Sequence, residues 1–289
     1  HTATGLNFID TYHRSGLYPL PRPAILGSEG AGVVTEVGED VSEVKAGDRV
    51  AYAGPLGAYS EERLVAAHRL VPLPDDVDEK TAAAAMLKGM TARYLLRKTH
   101  RVEEGETILL HSAAGGVGLI AAQWARSLGA TVIGTVSTDE KAELARAAGC
   151  DHVVVTSRED LARRVDEITG RAGVRVVYDS VGRDTFETSL DCLAPLGLMV
   201  SFGNSSGPVA PFAPLLLSQK GSLFLTRPTL MAYTARREDL LETAADLFSV
   251  IRSGAVSVRI GATFPLREAA AAHRELESRR TTGSTVLLP

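Results

Sequence analysis

The chain is poor in the residues and segments that mark several protein classes. It has only two cysteines, Cys150 and Cys192, too few for a disulfide framework or a four-cysteine zinc site. No apolar run approaches the roughly 20 residues of a membrane-spanning helix, and no charged-then-apolar leader opens the sequence. Positive charge is not in excess, because 31 Lys and Arg residues face 35 Asp and Glu residues. We therefore expect a cytoplasmic protein without a nucleic-acid or membrane partner.

The remaining composition is that of a globular protein, with 45% hydrophobic residues over 289 positions, and this length favours two domains. The first 80 residues alternate turns with strand-like segments. We predict a strand over 32–37 and a connector at 71–74, where two prolines interrupt any ladder. A proline-free, Ala-rich stretch predicts a helix over 81–98 that begins near Asp78 or Thr81.

From about residue 105 short apolar runs alternate with helical stretches, which predicts a parallel, doubly wound α/β sheet. The predicted strands are 107–111, 131–136, 152–156, 174–179, 196–202 and 222–226. The predicted helices between the first five of them are 116–129, 138–148, 158–169 and 183–193. After residue 228 we predict a helix over 235–253, a strand over 256–262, a helix over 266–279 and a final strand over 284–288.

A glycine-rich turn follows the first of these strands. Residues 112–118 read Ser-Ala-Ala-Gly-Gly-Val-Gly, an A-x-G-x-x-G form of the dinucleotide fingerprint that starts at Ala113. Gly115 would let the backbone approach a pyrophosphate, and Gly118 would let the helix pack closely on the strand. The helix N-terminus adds unpaired N–H groups and partial positive charge. The strand before the turn and the helix after it make this a predicted dinucleotide site.

The end of the next predicted strand indicates which dinucleotide is bound. An NAD site usually carries Asp or Glu about 20 residues after the glycines, where it binds the ribose 2′-hydroxyl. Here that position is Thr135, and Asp139 and Glu140 come only in the following helix. Lys141 follows them and can place an ammonium group near a 2′-phosphate. The pattern favours NADPH.

Four segments together resemble the NADPH:quinone oxidoreductases, the zeta-crystallin-like members of the medium-chain dehydrogenase/reductase superfamily. They are the Gly-Leu-Asn-Phe-Ile-Asp of 5–10, the glycine turn 112–118, the Tyr-Asp-Ser-Val-Gly of 178–182 and the Ser-Phe-Gly-Asn of 201–204. The resemblance implies a Rossmann doubly wound parallel sheet plus a GroES-like, mainly β catalytic domain. It places the catalytic domain at 1–92 and 229–289 and the NADP-binding Rossmann domain at 93–228.

The resemblance also implies the site residues. Asn7, Tyr12 and Tyr18 match polar positions around the nicotinamide and the quinone, and are the candidate catalytic residues. Thr156 stands where the family often has a tyrosine beside the 2′-phosphate, a departure that weakens the NADPH assignment. The candidate cofactor-binding residues are Thr91, Ala114, Gly115, Gly116, Val117, Gly118, Ser137, Lys141, Ser180, Val181, Ser201, Phe202, Gly203 and Arg279.

No metal site is expected. Zinc-dependent relatives carry Gly-His-Glu where this chain has Gly27, Ser28 and Glu29, so Ser28 replaces a histidine ligand. Glu29 is expected to be structural and to bond backbone groups. The resemblance implies zinc-independent transfer of a hydride or electrons from NADPH to a quinone. Two alternatives stay open: NADPH-dependent reduction of an activated C=C bond in an enone or alkene, and a non-catalytic, crystallin-like NADPH-binding protein.

Two further expectations concern the ends of the chain and its assembly. Members of the family begin about 35 residues before the 5–10 motif, so we expect the first strands of the catalytic domain to be missing, with exposed backbone edges as the result. The resemblance also implies a homodimer, often formed through edge strands of the Rossmann sheets. The predicted strand 222–226 is the candidate edge.

Overall fold

The computed structural model describes residues His1–Pro289. Contacts within the chain define two compact units. The first unit combines His1–Thr91 with Leu230–Pro289, and the second unit is the continuous stretch Ala92–Thr229. None of the helices combines the length and the apolarity that crossing a membrane requires.

The strands are short and number twelve. They are β1 (Ala3–Leu6), β2 (Glu29–Val33), β3 (Arg49–Ala53), β4 (Val71–Pro72), β5 (Thr107–Leu110), β6 (Thr131–Val136), β7 (His152–Val155), β8 (Val174–Asp179), β9 (Leu193–Ser201), β10 (Phe224–Thr226), β11 (Ile260–Pro265) and β12 (Ser284–Leu288).

Ten α-helices accompany these strands. They are α1 (Phe8–Ser15), α2 (Glu79–Tyr94), α3 (Gly116–Ser127), α4 (Asp139–Ala147), α5 (Leu161–Thr169), α6 (Phe186–Asp191), α7 (Leu215–Gln219), α8 (Leu230–Tyr233), α9 (Arg237–Arg252) and α10 (Ala269–Glu277). Single turns of 3₁₀-helix at Ala67–Arg69 and Leu266–Glu268 and a π-helical turn at Leu95–Thr99 complete the helical structure.

The second unit contains a six-stranded sheet in the order β10-β9-β8-β5-β6-β7. Every neighbouring pair in it is parallel. Strands β5 and β8 are buried along almost their whole length, as apolar strands covered by helices on both faces are. The chain runs outward from β5 in one direction through β6 and β7, and in the other through β8, β9 and β10, so the switch point lies between β5 and β8. The predicted doubly wound parallel sheet is confirmed.

The first unit contains a second six-stranded sheet, in the order β11-β12-β1-β2-β3-β4. Its pairs are antiparallel except for β11 with β12, which run parallel. Two apolar clusters pack on it. One surrounds Val50 and Tyr52 of β3, and the other joins Leu6 and Leu287 to α10.

Two predictions for the first 80 residues were wrong in detail. The strand predicted over 32–37 is β2, which covers Glu29–Val33, because its ladder with β3 ends at the Val33–Arg49 pair. The predicted connector at 71–74 contains β4, in which Val71 pairs with Ala51 and Pro72 with Val50. Strand β4 is at the edge of its sheet, where the missing N–H of a proline breaks no ladder.

The helix α1 was not anticipated, because the first 80 residues were interpreted as turns and strands. The sequence nevertheless contains the capping residues of this helix at both of its ends. Asn7 stands at the N-cap in an extended conformation, and its N–H donates to Asp10 Oδ2 at 2.9 Å. Gly16 closes the helix in a left-handed conformation with φ 82°, which glycine adopts without steric penalty. The helix places Asn7 and Tyr12 on adjoining turns.

Helix α2 begins where the sequence predicted. Asp78 Oδ1 accepts the backbone N–H of Thr81 at 2.8 Å, and Asp78 Oδ2 accepts the Thr81 hydroxyl at 2.7 Å. These bonds satisfy N–H and hydroxyl groups at the exposed start of the helix. The predicted helix to residue 98 covers α2, which ends at Tyr94, and most of the π-helical turn that continues to Thr99.

Candidate functional site

The turn between β5 and α3 presents a helix N-terminus beyond the carboxyl end of a central strand. Ser112 is left-handed, with φ 54°, and its carbonyl accepts the Gly115 N–H at 2.9 Å. The first intrahelical bond runs from Leu119 N–H to the Gly115 carbonyl at 2.9 Å. The N–H groups of residues 116–118 therefore have no helical acceptor, and with the helix dipole they form a phosphate-binding arrangement.

Close approach of the backbone requires one glycine of this turn, Gly118. A Cβ on Gly118 would stand 2.8 Å from both the Cα and the carbonyl carbon of Ala113, and closer still to the Ser112 oxygen. A Cβ on Gly115 would meet only the Ser112 oxygen, at 3.2 Å. Gly118 thus sets the distance between helix and strand, as the motif predicted.

The end of β6 carries the predicted 2′-phosphate residues. Ser137 is exposed, and Thr138 caps α4 by accepting the Lys141 N–H on its hydroxyl at 3.3 Å. The first acid of the helix, Asp139, pairs with Arg158 at 2.7 Å. Arg158 follows β7 and neutralises the acid nearest the strand end; it was not predicted from the sequence.

The turn after β8 is organised by a buried carboxylate. Asp179 is fully buried, and its Oδ1 accepts the N–H groups of Val181 at 2.7 Å and Gly182 at 3.0 Å. Its Oδ2 accepts the Thr185 hydroxyl at 2.7 Å and the Ser189 hydroxyl at 2.9 Å. Four donors on one carboxylate fix the backbone of Ser180 and Val181. Asp179 lies in the motif 178–182, but this role was not predicted from the sequence.

The segment after β9 packs directly on that turn. The Phe202 N–H donates to the Asp179 carbonyl at 2.8 Å. A Cβ on Gly203 would lie 2.9 Å from the Cα and carbonyl carbon of Ser180, so the two backbones touch. Five candidate cofactor residues, Ser180, Val181, Ser201, Phe202 and Gly203, are therefore brought together at the carboxyl ends of neighbouring strands.

In the first unit, the candidate Asn7 is almost fully buried. Its side-chain amide donates to Glu29 Oε2 at 2.8 Å and to the Gly5 carbonyl at 3.3 Å. Both amide hydrogens of Asn7 thus face protein acceptors.

The candidate tyrosines form a pair. The Tyr12 and Tyr18 rings meet edge to face with centroids 5.3 Å apart, and the Tyr18 N–H donates to the Tyr12 carbonyl at 3.1 Å. Tyr12 is buried and Tyr18 is half-buried. The loop after α1 thus turns back so that Tyr18 covers Tyr12.

A buried ion pair lies behind Asn7. Glu29 Oε2 accepts from Lys88 Nζ at 2.8 Å, and the side-chain exposures of Lys88 and Glu29 are 6% and 0%. Glu29 Oε1 accepts the Leu87 N–H at 2.7 Å, which confirms the expected bond from Glu29 to the backbone. Lys88 was not recognised from the sequence, because it lies 59 residues further along the chain.

Ser28, at the position of a zinc ligand in the zinc-dependent relatives, faces a carboxyl group. Its hydroxyl donates to Asp10 Oδ1 at 2.9 Å, and the Tyr59 hydroxyl donates to Asp10 Oδ2 at 3.1 Å. His273 Nε2 lies 3.0 Å from the Tyr59 oxygen. Burial raises the pKa of Asp10 to about 6, although hydrogen bonds from Asn7, Ser28 and Tyr59 oppose it. No group of three or more His, Cys, Asp or Glu side chains is placed to hold a metal ion.

The last two cofactor candidates, Thr91 and Arg279, belong to the first unit. Thr91 is buried on α2, and Arg279 is exposed after α10 with φ 60°. The other candidates, from Ala114 to Gly203, belong to the second unit. Ser137 directly follows β6, and Lys141 lies in the first turn of α4. Five others, Ala114, Gly115, Gly116, Val117 and Gly118, form the glycine turn and the start of α3.

Comparison with protein families matches both units. Residues 1–75 match the alcohol dehydrogenase GroES-like domain, and residues 116–250 match the zinc-binding dehydrogenase family.

Individual relatives match almost the whole chain. A quinone oxidoreductase from Pseudomonas aeruginosa is 60% identical over 99% of this chain and 89% of its own length. A 2-haloacrylate reductase from Burkholderia is 50% identical over 100% of this chain and 89% of its own length. Among solved structures, Escherichia coli quinone oxidoreductase complexed with NADPH has a TM-score of 0.98 and 54% identity, covering 100% of this chain and 90% of that one.

Proposed function

Because the chain belongs to the quinone oxidoreductases of the medium-chain dehydrogenase/reductase superfamily, we propose that it catalyses the reduction of a quinone by NADPH. It is an NADPH-dependent oxidoreductase. One observation carries this conclusion: relatives named quinone oxidoreductase are 54–60% identical to it over 99% of its length.

The glycine turn fits the pyrophosphate of NADPH. Gly118 lets α3 pack closely on the backbone of Ser112 and Ala113, and the first turn of α3 offers its N–H groups to an anion beyond β5. Residues 114–118 would hold the pyrophosphate, and Ser137 and Lys141 the 2′-phosphate. The nicotinamide half would contact Ser180, Val181 and 201–203. Thr91 and Arg279 stay candidate cofactor residues that the family resemblance implies. When bound, NADPH supplies a hydride to the quinone.

We expect Lys141→Ala to lower kcat/KM for NADPH about tenfold, the loss of one charge-assisted phosphate contact. The kcat/KM for NADH should stay the same, because NADH has no 2′-phosphate. Steady-state kinetics with both cofactors checks this. Arg146→Ala is the matched control, since it removes a positive charge from the same helix, where Arg146 pairs with Glu143. An equal loss for NADPH and NADH would contradict the role of Lys141.

On the substrate side, we assign hydrogen bonding of the quinone oxygen to Tyr12 and Tyr18, with Asn7 beside them. The amide hydrogens of Asn7 face Glu29 and the Gly5 carbonyl, and each tyrosine carries a hydroxyl that can donate. A donor aimed at an oxygen that gains negative charge stabilises the transition state. No side chain is assigned as a general acid, and the proton that completes the reduction comes from solvent.

Tyr18→Phe tests the substrate role. We expect a rise in KM for the quinone or a modest fall in kcat, amounting to about tenfold or less in kcat/KM, because one hydrogen bond is lost. The Kd for NADPH should be unchanged, and urea unfolding should show that the variant is folded. A kcat/KM for quinone equal to that of the parent chain would remove Tyr18 from the site.

The assay that tests the proposed function is oxidation of NADPH by the purified chain with a small quinone, with NADH as the control cofactor. Quinone-dependent turnover that prefers NADPH supports the proposal. NADPH binding without turnover of any substrate would instead support a non-catalytic binding protein.

Reduction of an activated C=C bond is the second candidate, and the relative named 2-haloacrylate reductase at 50% identity favours it. The cofactor site would be the same. An enone and a 2-haloacrylate in the same assay separate the two. Turnover of these compounds at a higher kcat/KM than the quinone would replace the first proposal by the second.

We also propose that the chain forms a homodimer through β10. This strand is the edge of its sheet, and Phe224 on it is 61% exposed. An exposed apolar edge strand is a template for pairing with a second copy. Light scattering should then give twice the chain mass of 30.6 kDa, and a single chain mass would rule the dimer out.

The proposed location is the cytoplasm. Both cysteines are buried free thiols, which fits a reducing compartment. Cell fractionation tests this, and recovery of the protein in a membrane or secreted fraction would contradict it.

A further inference from the structure

A continuous chain of hydrogen bonds crosses the interior of the second unit below the candidate cofactor residues. His111 follows β5 and is buried. Its Nδ1 lies 3.1 Å from the hydroxyl of Thr135 on β6, and its Nε2 lies 3.0 Å from the hydroxyl of Ser189 on α6. Thr135 and Ser189 are buried as well. These two partners of His111 are 24 and 78 residues away in sequence, so the hydrogen-bond chain forms only in the folded protein.

The donor and the acceptor of every hydrogen bond in this series can be assigned by starting at Asp179. The carboxylate of Asp179 can only accept, so the Ser189 hydroxyl donates to it, at 2.9 Å. The Ser189 oxygen then accepts from Nε2–H of His111. Burial lowers the pKa of His111, although the nearby Asp179 charge opposes this, and a neutral ring protonated on Nε2 has a bare Nδ1. Nδ1 therefore accepts the Thr135 hydroxyl.

The other end of the chain is the phosphate turn. The Thr135 oxygen, having donated its hydrogen to His111, accepts the backbone N–H of Ser112 at 3.3 Å. Ser112 is the residue with φ 54°, a conformation that a non-glycine residue keeps only when its surroundings hold it there. The carbonyl of Ser112 is also the group nearest to Gly118.

The two ends of the chain are thus the two turns that flank the switch point between β5 and β8. One turn begins at Ser112 and leads into α3. The other is held by Asp179, which accepts the N–H groups of Val181 and Gly182. An aliphatic side chain at residue 111 would fill the core equally well but would leave both turns without this connection.

We propose that His111 is a positioning residue for NADPH, which couples the pyrophosphate turn at Ser112 to the nicotinamide-side turn at Asp179 through Thr135 and Ser189. This inference rests on the proposed cofactor site. Although Thr135 lies one residue from the end of β6, its hydroxyl bonds His111 and Ser112. The hydrogen-bond chain therefore acts on the pyrophosphate and nicotinamide turns, the part of the cofactor that NADPH and NADH share. Loss of the chain should weaken both cofactors by the same factor.

Two conservative variants cut the chain on either side of the ring. Thr135→Val keeps the shape and removes the bonds to Ser112 and Nδ1. Ser189→Ala removes the hydroxyl that bonds both Nε2 and Asp179. Each should raise the Kd for NADPH and for NADH about tenfold, the effect of one buried hydrogen-bonding group left unpaired. The double variant should bind both cofactors no more weakly than the single variant with the higher Kd. Once one hydrogen bond of the connection between the turns is removed, removal of a second should have no further effect on binding.

The controls separate positioning from stability. Thr169→Val and Ser127→Ala remove hydroxyls that bond only local backbone groups in the same unit, and should leave both Kd values unchanged. The fragment adenosine 2′,5′-bisphosphate, which ends before the nicotinamide half, should lose less affinity than NADPH in the two chain variants.

The outcomes are distinct. If the parent chain does not bind NADPH, the proposed cofactor site fails. If the parent binds but both variants keep Kd values within twofold of it, His111 is only structural and the inference is overturned. Fully additive losses in the double variant would overturn it too, because the turns would then be independent. Should the variants not fold, nitrogen NMR of the parent decides: His111 should show the Nε2–H tautomer and shift on NADPH addition, and an unmoved signal overturns the inference.

Discussion

Gly118→Ala is expected to raise the Kd for NADPH by about 100-fold. The added Cβ would stand 2.8 Å from the Cα and carbonyl carbon of Ala113. These are backbone atoms and cannot rotate away, so α3 must lift from β5 or the turn must open. Either movement displaces the N–H groups of the first helical turn, which act only when they point at the phosphates. Fluorescence titration with NADPH measures the change.

Gly115→Ala is the comparison variant, in which the added Cβ causes a milder clash. Its Cβ would meet one atom, the Ser112 oxygen, at 3.2 Å, and Gly115 has φ −79°, which alanine tolerates. We expect a loss of affinity well below that of Gly118→Ala. Affinity of Gly118→Ala within a few-fold of the parent chain would show that the turn does not hold the pyrophosphate. Both variants should be checked by urea unfolding, so that lost binding is not confused with lost folding.

The elements around this glycine turn show which parts of the fold could be predicted from the sequence. The strand, the A-x-G-x-x-G turn and the helix are consecutive in sequence, and so are the alternating strands and helices that follow. Three predicted strands, 131–136, 174–179 and 284–288, coincide with β6, β8 and β12. Local periodicity determines these elements, because each strand is buried by the helix next to it in the chain.

The parts that escaped prediction depend on distant partners. Strand β4 exists because Val71 and Pro72 meet β3 at a sheet edge, and proline alone predicts a break. The roles of Lys88 and His111 depend on partners up to 78 residues away. A single lysine or histidine in an apolar segment carries no local signal of such a partner. Helix α1 is different, since its capping residues were visible and only its short length concealed it.

Lys88→Met is expected to lower the free energy of unfolding of the first unit by about 3–5 kcal/mol, the usual consequence of leaving one charge of a buried ion pair uncompensated. Methionine keeps most of the volume of the lysine stem, so the core stays filled. The carboxylate of Glu29 would remain fully buried with only the Leu87 N–H and the Asn7 amide as donors. Urea unfolding followed by circular dichroism measures the loss.

A second substitution at Glu29 decides whether the stability lost in Lys88→Met comes from the unpaired charge or from altered packing. The double variant Lys88→Met with Glu29→Gln removes both charges, and should recover at least half of the lost stability, because a neutral amide needs no counter-charge. Arg163→Met, in the second unit, is the control for loss of an exposed cation. Arg163 pairs with Glu167, and the side chains of Arg163 and Glu167 are 79% and 42% exposed. Water screens that pair, so its loss should leave unfolding nearly unchanged. If Lys88→Met were as mild as Arg163→Met, the ion pair would not hold Glu29. The orientation of the Asn7 amide, which depends on Glu29 Oε2, would then need another cause.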